Sequence, residues 1–254
     1  MKRLILLLLV VTSAAGLVLV GCDRTSDEEA SVPTIIVATD ATWPPMEFVN
    51  ENKEIVGFDI DLINAVAEAG GFEVEIRNSS WEGIFAGLET EEYDAAISSI
   101  TITEERKETL DFSTPYINAG QVLVVPQSVS GVTTLQDLVG ETVGAQISTT
   151  GAFEVQKVNG VKLATYDEIG LAVADLANGR IAGVVLDTPV AADYVLQNDE
   201  YKGTLKIVGE PFTEEYYGIA VKKGNSEVLD LINKGLADVL ASDLPDELAN
   251  KWLR

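Results

Sequence analysis

The chain has 254 residues, 46% of them hydrophobic, which is enough to bury a sizeable core and to build two lobes. Seventeen lysines and arginines against 41 aspartates and glutamates leave a formal charge of −24, and such a chain repels nucleic-acid phosphate. With no histidine and one cysteine, Ser-His, Cys-His and histidine-rich zinc chemistry are excluded together.

Residues 1–22 read as a secretory signal: Lys2 and Arg3 give a positive start, Leu4 to Val20 an apolar run, and Gly21 stands before Cys22. The run Leu19-Val20-Gly21-Cys22 resembles a lipobox, which would make Cys22 a lipidated amino terminus and anchor the chain to a membrane. Residues 23–32 are polar and aperiodic, as expected of a tether. No later stretch is long and apolar enough to span a bilayer.

From Thr34 short apolar strands alternate with helical patterns, the signature of an α/β fold. Ile35 to Ala38 reads as a buried strand whose carboxyl end leads into the loop Thr39 to Pro45. Gly57 precedes a helix with Ile60, Leu62, Ile63, Val66 and Ala67 on its apolar face, ended by Gly70-Gly71. Asp59 and Asp61 lack the glycine and closing glutamate of a calcium loop and are read as a solvated helix start. Phe72, Val74 and Ile76 alternate as a half-exposed strand, and Trp81, Ile84, Phe85 and Leu88 recur at helical spacing. The next strand, from Asp94, runs into Ser98, Ser99 and Thr101, and then reaches Arg106 after two glutamates. Hydroxyls at a strand's carboxyl end lie where ligands collect in open α/β sheets, and an arginine fork matches a carboxylate.

After Tyr116 the pattern restarts as if a second lobe began. Val122 to Val125 and Thr142 to Ala145 are strands, the latter ending in Gln146-Ile147-Ser148-Thr149-Thr150-Gly151. A helix starting near Ala152 would aim free amides at that loop. Leu171 to Ala177 is helical, Val184 to Asp187 is a strand ending on a carboxylate, and Pro189 suits a first helical turn. Leu205 to Val208 and Gly218 to Val221 are strands. Val228 to Leu240 forms a long amphipathic helix, and Pro245 opens a last one.

Four strand ends thus carry polar or aromatic groups: Asp40 with Trp43, Ser98 to Arg106, Gln146 to Gly151, and Asp187. One cation, a few carboxylates, aromatic plates and neutral donors together complement a zwitterion. Trp81 alone would be core more readily than ligand plate. Glu47 is read as ordinary surface.

Over Thr34 to Arg254 the chain resembles the extracytoplasmic solute-binding proteins of polar amino-acid ABC transporters, the family of glutamine-, histidine- and lysine/arginine/ornithine-binding proteins. The resemblance is carried by Ala38-Thr39-Asp40, Gly57-Phe58-Asp59, Ile102 to Arg106, Asp111-Phe112-Ser113, Thr149-Thr150-Gly151 and Asp187-Thr188-Pro189. It implies a two-lobed clamshell, the type II periplasmic-binding-protein fold. Each lobe is a mixed sheet flanked by helices: residues 31–116 plus 213–254 form lobe 1, residues 117–212 lobe 2, with two crossings as the hinge.

The resemblance implies a free amino acid in the interlobe cleft, either arginine-like and basic or glutamine, delivered to ABC permease subunits. Arg106, Thr101 and Thr150 would meet the α-carboxylate, and Asp187 with Ser99 the α-ammonium. Asp40, Trp43, Trp81 and Gln146 would line the side-chain pocket, with Ser98 and Thr149 further along the cleft. Ser148 departs from the glycine of many relatives, which bears on the backbone shape of its loop. Neither cofactor nor metal is implied, and the protein is expected to be a monomer outside the cytoplasmic membrane. Two alternatives stand beside capture for transport: an enzyme on the same fold resembling cyclohexadienyl dehydratase, and a ligand-sensing partner of a receptor.

Overall fold

In a computed structural model, residues 32–254 are described. The signal segment 1–22, its Cys22, and all of the tether 23–32 but Val32 lie outside them. None of the described helices is long and apolar enough to cross a membrane.

Two five-stranded mixed sheets organise the domain, each flanked by helices, as in a two-lobed clamshell. The first has the order Glu73–Asn78, Thr34–Thr39, Ala95–Ala96, Ala220–Lys222, Leu110–Phe112. Its first three strands are parallel, and Ala220–Lys222 runs antiparallel to both neighbours. The second has the order Lys162–Tyr166, Thr142–Gln146, Gly183–Asp187, Gln121–Pro126, Leu205–Val208, again with a parallel group followed by antiparallel strands. Between them the chain crosses twice, through Ile117–Asn118 and Tyr216–Tyr217, which pair antiparallel. The Ala119 amide donates to the Glu215 carbonyl at 2.7 Å and closes this ladder.

The parallel strands alternate with helices because a parallel connection needs a crossover, and the apolar stripes of those helices cover the sheet faces. Helix Phe58–Gly70 buries Leu62, Ile63, Val66 and Ala67 against the first sheet. The late helix Ser226–Leu240 packs on it so closely that a Cβ on Gly235 would stand 2.0 Å from the Val66 carbonyl oxygen. Glycine is required there by the approach of the two backbones, and this contact brings the chain end back to the first sheet.

The structure departs from the sequence reading in several places. The strand from Asp94 is only Ala95–Ala96, because the backbone turns out of the ladder and Ser99 adopts a left-handed φ of 49°. Asp59 holds that turn: its Oδ2 accepts the Ser99 amide at 2.8 Å. Asp59 is therefore no solvated helix start, being 0% exposed. The loop after Thr39 and the segment beyond it contain three short strands, Thr42–Trp43, Glu47–Val49 and Ile55–Val56, joined in a small antiparallel sheet. Lys162–Tyr166 is an additional edge strand, half-buried and without a continuous apolar run. The helix expected near Ala152 starts two residues earlier, at Thr150, because Thr149 caps it by accepting the Ala152 amide.

Candidate functional site

A narrow cavity lies between the two sheets' strand ends. It is lined by Asp40, Trp43, Trp81, Ser98, Ser99, Thr101, Arg106, Gln146, Thr149, Thr150 and Asp187, which are the residues singled out in the sequence, and also by Glu47. The reason lies in topology: apart from Glu47, which opens the short strand Glu47–Val49, these groups lie at or after the carboxyl ends of strands, and these ends converge.

Arg106 stands on a short 3₁₀ turn, Arg106–Glu108, whose entry is fixed by the Arg106 amide donating to Thr103 Oγ1 at 3.1 Å. Its Nη1 donates to the Thr101 carbonyl at 2.8 Å, and its guanidinium carbon lies 5.2 Å from the Trp81 ring centre and 5.4 Å from that of Phe85. Burial lowers its pKa to about 10, opposed by the nearby carboxylates Glu215 and Asp187, so it stays charged at neutral pH.

Asp187 ends strand Gly183–Asp187 and accepts from Gln121 Nε2 at 3.0 Å. Burial, and then repulsion from Glu215, push its pKa up to about 7. Glu215 and Gln121 escaped the sequence reading. Glu215 is buried on the second crossing; its Oε2 accepts the hydroxyls of Thr101 and Thr150, each at 2.7 Å, and its Oε1 that of Thr213 at 2.9 Å. Thr101 follows a strand of the first sheet and Thr150 a strand of the second, so this one carboxylate joins both. The two hydroxyl protons are thereby committed to Glu215, while the amides of the first turn after Thr149 have no intrahelical partner. The only advance signal for Glu215 was its place in a crossing rich in carboxylates and tyrosines.

On the other side, Asp40 accepts from Thr42 Oγ1 and Gln146 Nε2, both at 2.9 Å, and burial raises its pKa. Gln146 also donates to the Asp167 carbonyl at 2.9 Å, which fixes its amide. Ser98 Oγ accepts the Asp40 amide at 2.9 Å and donates to Glu47 Oε1 at 3.0 Å; Ser99 Oγ donates to Glu47 Oε2 at 3.3 Å. Glu47 is 1% exposed, which corrects its reading as surface. It follows Trp43 across a two-residue hairpin ladder, and the pairing turns it inward.

Trp81 is both core and wall. It packs with Ile84 and Leu88 in a buried cluster, and its Nε1 donates to the Ser148 carbonyl at 3.3 Å. Ser148, the position where glycine was noted in relatives, takes a left-handed φ of 57°, and its hydroxyl reaches Glu82 at 3.2 Å. The serine therefore keeps a backbone shape that glycine adopts freely. Among the described residues no cluster of acidic or sulfur side chains is arranged to hold a metal.

Comparison with known proteins gives a consistent picture. Residues 35–254 match the model of the bacterial extracellular solute-binding proteins, family 3. The chain is 36% identical over 221 residues to a probable histidine-binding protein of Neisseria gonorrhoeae, covering 85% of this chain and 81% of that one. It is 34% identical over 218 residues to ABC transporter arginine-binding protein 1 of Escherichia coli strain K12, covering 84% and 87%. Among solved structures, an ancestral arginine-binding protein bound to arginine is 43% identical with a TM-score of 0.82, covering 87% of this chain and 98% of that one.

Proposed function

This chain belongs to the bacterial extracellular solute-binding proteins of family 3, and we propose that it captures a cationic amino acid, arginine or a close analogue, for an ABC permease. One observation carries the reading: a single guanidinium, Arg106, and the carboxyls Asp187, Asp40 and Glu47 line the same narrow cavity. Arg106 and the amides at Thr150 take the α-carboxylate, with Thr101 presenting the carbonyl that orients Arg106. Asp187, with Ser99, takes the α-ammonium. Trp43, Trp81 and Gln146 enclose the side chain, and Asp40 meets its charge, with Ser98 and Thr149 fixing the backbone around it. The surplus of acids over bases favours a cationic side chain over that of glutamine.

The lobes fall at 31–116 plus 213–254 and at 117–212, with the paired crossings as hinge, and closure isolates the ion pairs from water. The lipobox-like run Leu19-Val20-Gly21-Cys22 supports a mature protein tethered outside the cytoplasmic membrane by a lipid on Cys22, and the protein is taken to act as a monomer.

A thermal-shift screen of the twenty amino acids with ornithine and citrulline tests this, because a ligand that binds only the folded state raises the melting temperature. Arginine is expected to give the largest rise, and no rise with any of them would overturn the proposal. A carboxyl titrating near neutrality, such as Asp187, is also what acid catalysis uses. Turnover of prephenate or arogenate would therefore replace binding with the enzyme reading; we expect none.

A further inference from the structure

Beneath the cavity floor, Glu47 meets a second buried carboxyl. Asp59, at the start of helix Phe58–Gly70, uses Oδ2 to accept the Ser99 amide at 2.8 Å and the Tyr116 hydroxyl at 2.9 Å. Its Oδ1 is fully buried with no partner among the described donors. Ser99 ties the two carboxyls together, its amide on Asp59 Oδ2 and its hydroxyl on Glu47 Oε2, and among the described residues neither carboxyl has a lysine or arginine in ion-pair contact. Two carboxyl groups hydrogen-bond only when one of them holds a proton, and two buried carboxylates without a cation repel strongly. Placed on Glu47, the proton satisfies the orphaned Asp59 Oδ1.

The other groups facing this pair do not replace the proton. Asp40, from the loop after Thr34–Thr39, adds further repulsion; the phenols of Tyr116 and Tyr217 remain neutral; Arg106 is turned to the Thr101 carbonyl. Burial accordingly holds Glu47 well above the usual carboxylate range.

We propose that Glu47 and Asp59 share one proton under the cavity floor, and that a cationic ligand side chain displaces it. Capture of arginine then releases a proton that capture of its neutral isostere, citrulline, does not. The proton leaves the Glu47 carboxyl for the solvent, and the carboxylate left behind is balanced by the ligand's positive charge, so the charge of the closed cavity is unchanged. Glu47 thereby determines specificity: it presents a neutral wall to neutral side chains and becomes a counter-ion only for a cation. The inference rests on the reading of the cleft as an amino-acid site with its side-chain end at Asp40.

Calorimetry of arginine and citrulline binding near pH 7, in buffers of different ionisation heat, counts the protons released. The two ligands share their α-groups, so protons lost from Asp187 on meeting the ammonium appear in both counts and cancel in the difference. Arginine is expected to release up to about one proton more than citrulline, and this difference should collapse in Glu47→Gln. Equal counts in the unmodified protein, or a difference that survives in Glu47→Gln, would overturn the inference. Should that variant not fold, equal counts in the unmodified protein still overturn the inference, and a difference that survives in Asp40→Asn assigns the proton away from Asp40. The arginine-to-citrulline affinity ratio should rise between pH 5.5 and 8, by up to about tenfold per unit where release is complete, and a flat ratio refutes the idea. Failure of both ligands to bind would instead bring down the functional reading itself, a result distinct from binding without proton release.

Discussion

Two acid networks meet at the cavity, and they are built differently. In one, Asp40, Glu47, Asp59, Ser98, Ser99 and Tyr116 all come from the chain before or at the first crossing, and their bonds close on themselves except at Asp40, which also accepts Gln146 Nε2 from the second sheet. In the other, Glu215 on the second crossing accepts Thr101 from one side and Thr150 from the other, while Gln121 links Thr150 to Asp187. In the first network the Glu47, Asp59 and serine bonds lie within one lobe and are made when that lobe folds, and only Asp40 reaches across. The second exists only when both lobes are in place, so it is sensitive to their relative position and suits a group that must respond to a ligand.

The sharpest test of this contrast is removal of the two charges proposed to hold the ligand's α-groups from opposite lobes. Arg106→Ala and Asp187→Ala should each abolish arginine binding in calorimetry, a loss of at least about 3–5 kcal/mol, because each leaves an opposite buried charge unmatched. Near-unchanged affinity in either would remove the assignment of the α-group site.

The next effect concerns pH in the protein without added ligand. Asp187 is raised in the folded state from 3.8 to about 7, so the folded protein binds more protons than the unfolded one across that range. Its stabilising contribution is complete below about pH 4 and is lost as pH rises to about 7, on the order of 4 kcal/mol at about 1.4 kcal/mol per unit. Asp59, Glu47 and Asp40 are raised by burial in the same direction. The Asp187 share is therefore the difference between denaturation curves of the unmodified protein and Asp187→Asn. A variant with the same pH slope would show that burial costs this carboxyl little.

A smaller and more selective loss is expected at Asp40. Asp40→Asn should weaken arginine by about 1–3 kcal/mol, the scale of a hydrogen bond to a charged group, and citrulline by much less. Equal losses would show that Asp40 shapes the pocket without choosing its charge.

The smallest expected effects separate the networks themselves. Thr150→Val removes a link between lobes and should lower affinity by about 1 kcal/mol with little change in melting temperature. Ser98→Ala acts within one lobe and should lower stability by a similar amount in denaturant titration, since it strands the Asp40 amide and a Glu47 oxygen. Reversal of the two patterns would dissolve the distinction.

The sequence by itself determined the architecture and much of the cavity's lining. Alternating apolar strands and amphipathic stripes are local patterns, and the rule that ligands gather at strand carboxyl ends needs only the order of elements. Hence Ser98 to Arg106, Gln146 to Thr150 and Asp187 were legible as a set before their geometry was known. Only the tertiary structure decided which acids are buried. Glu47 and Asp59 look like surface in a chain this acidic, and their burial depends on a two-residue strand pairing and on a left-handed turn at Ser99. Glu215 owes its role to the meeting of two crossings about a hundred residues apart in sequence. Burial and proton sharing arise from groups brought together across long separations, and no local pattern encodes that proximity.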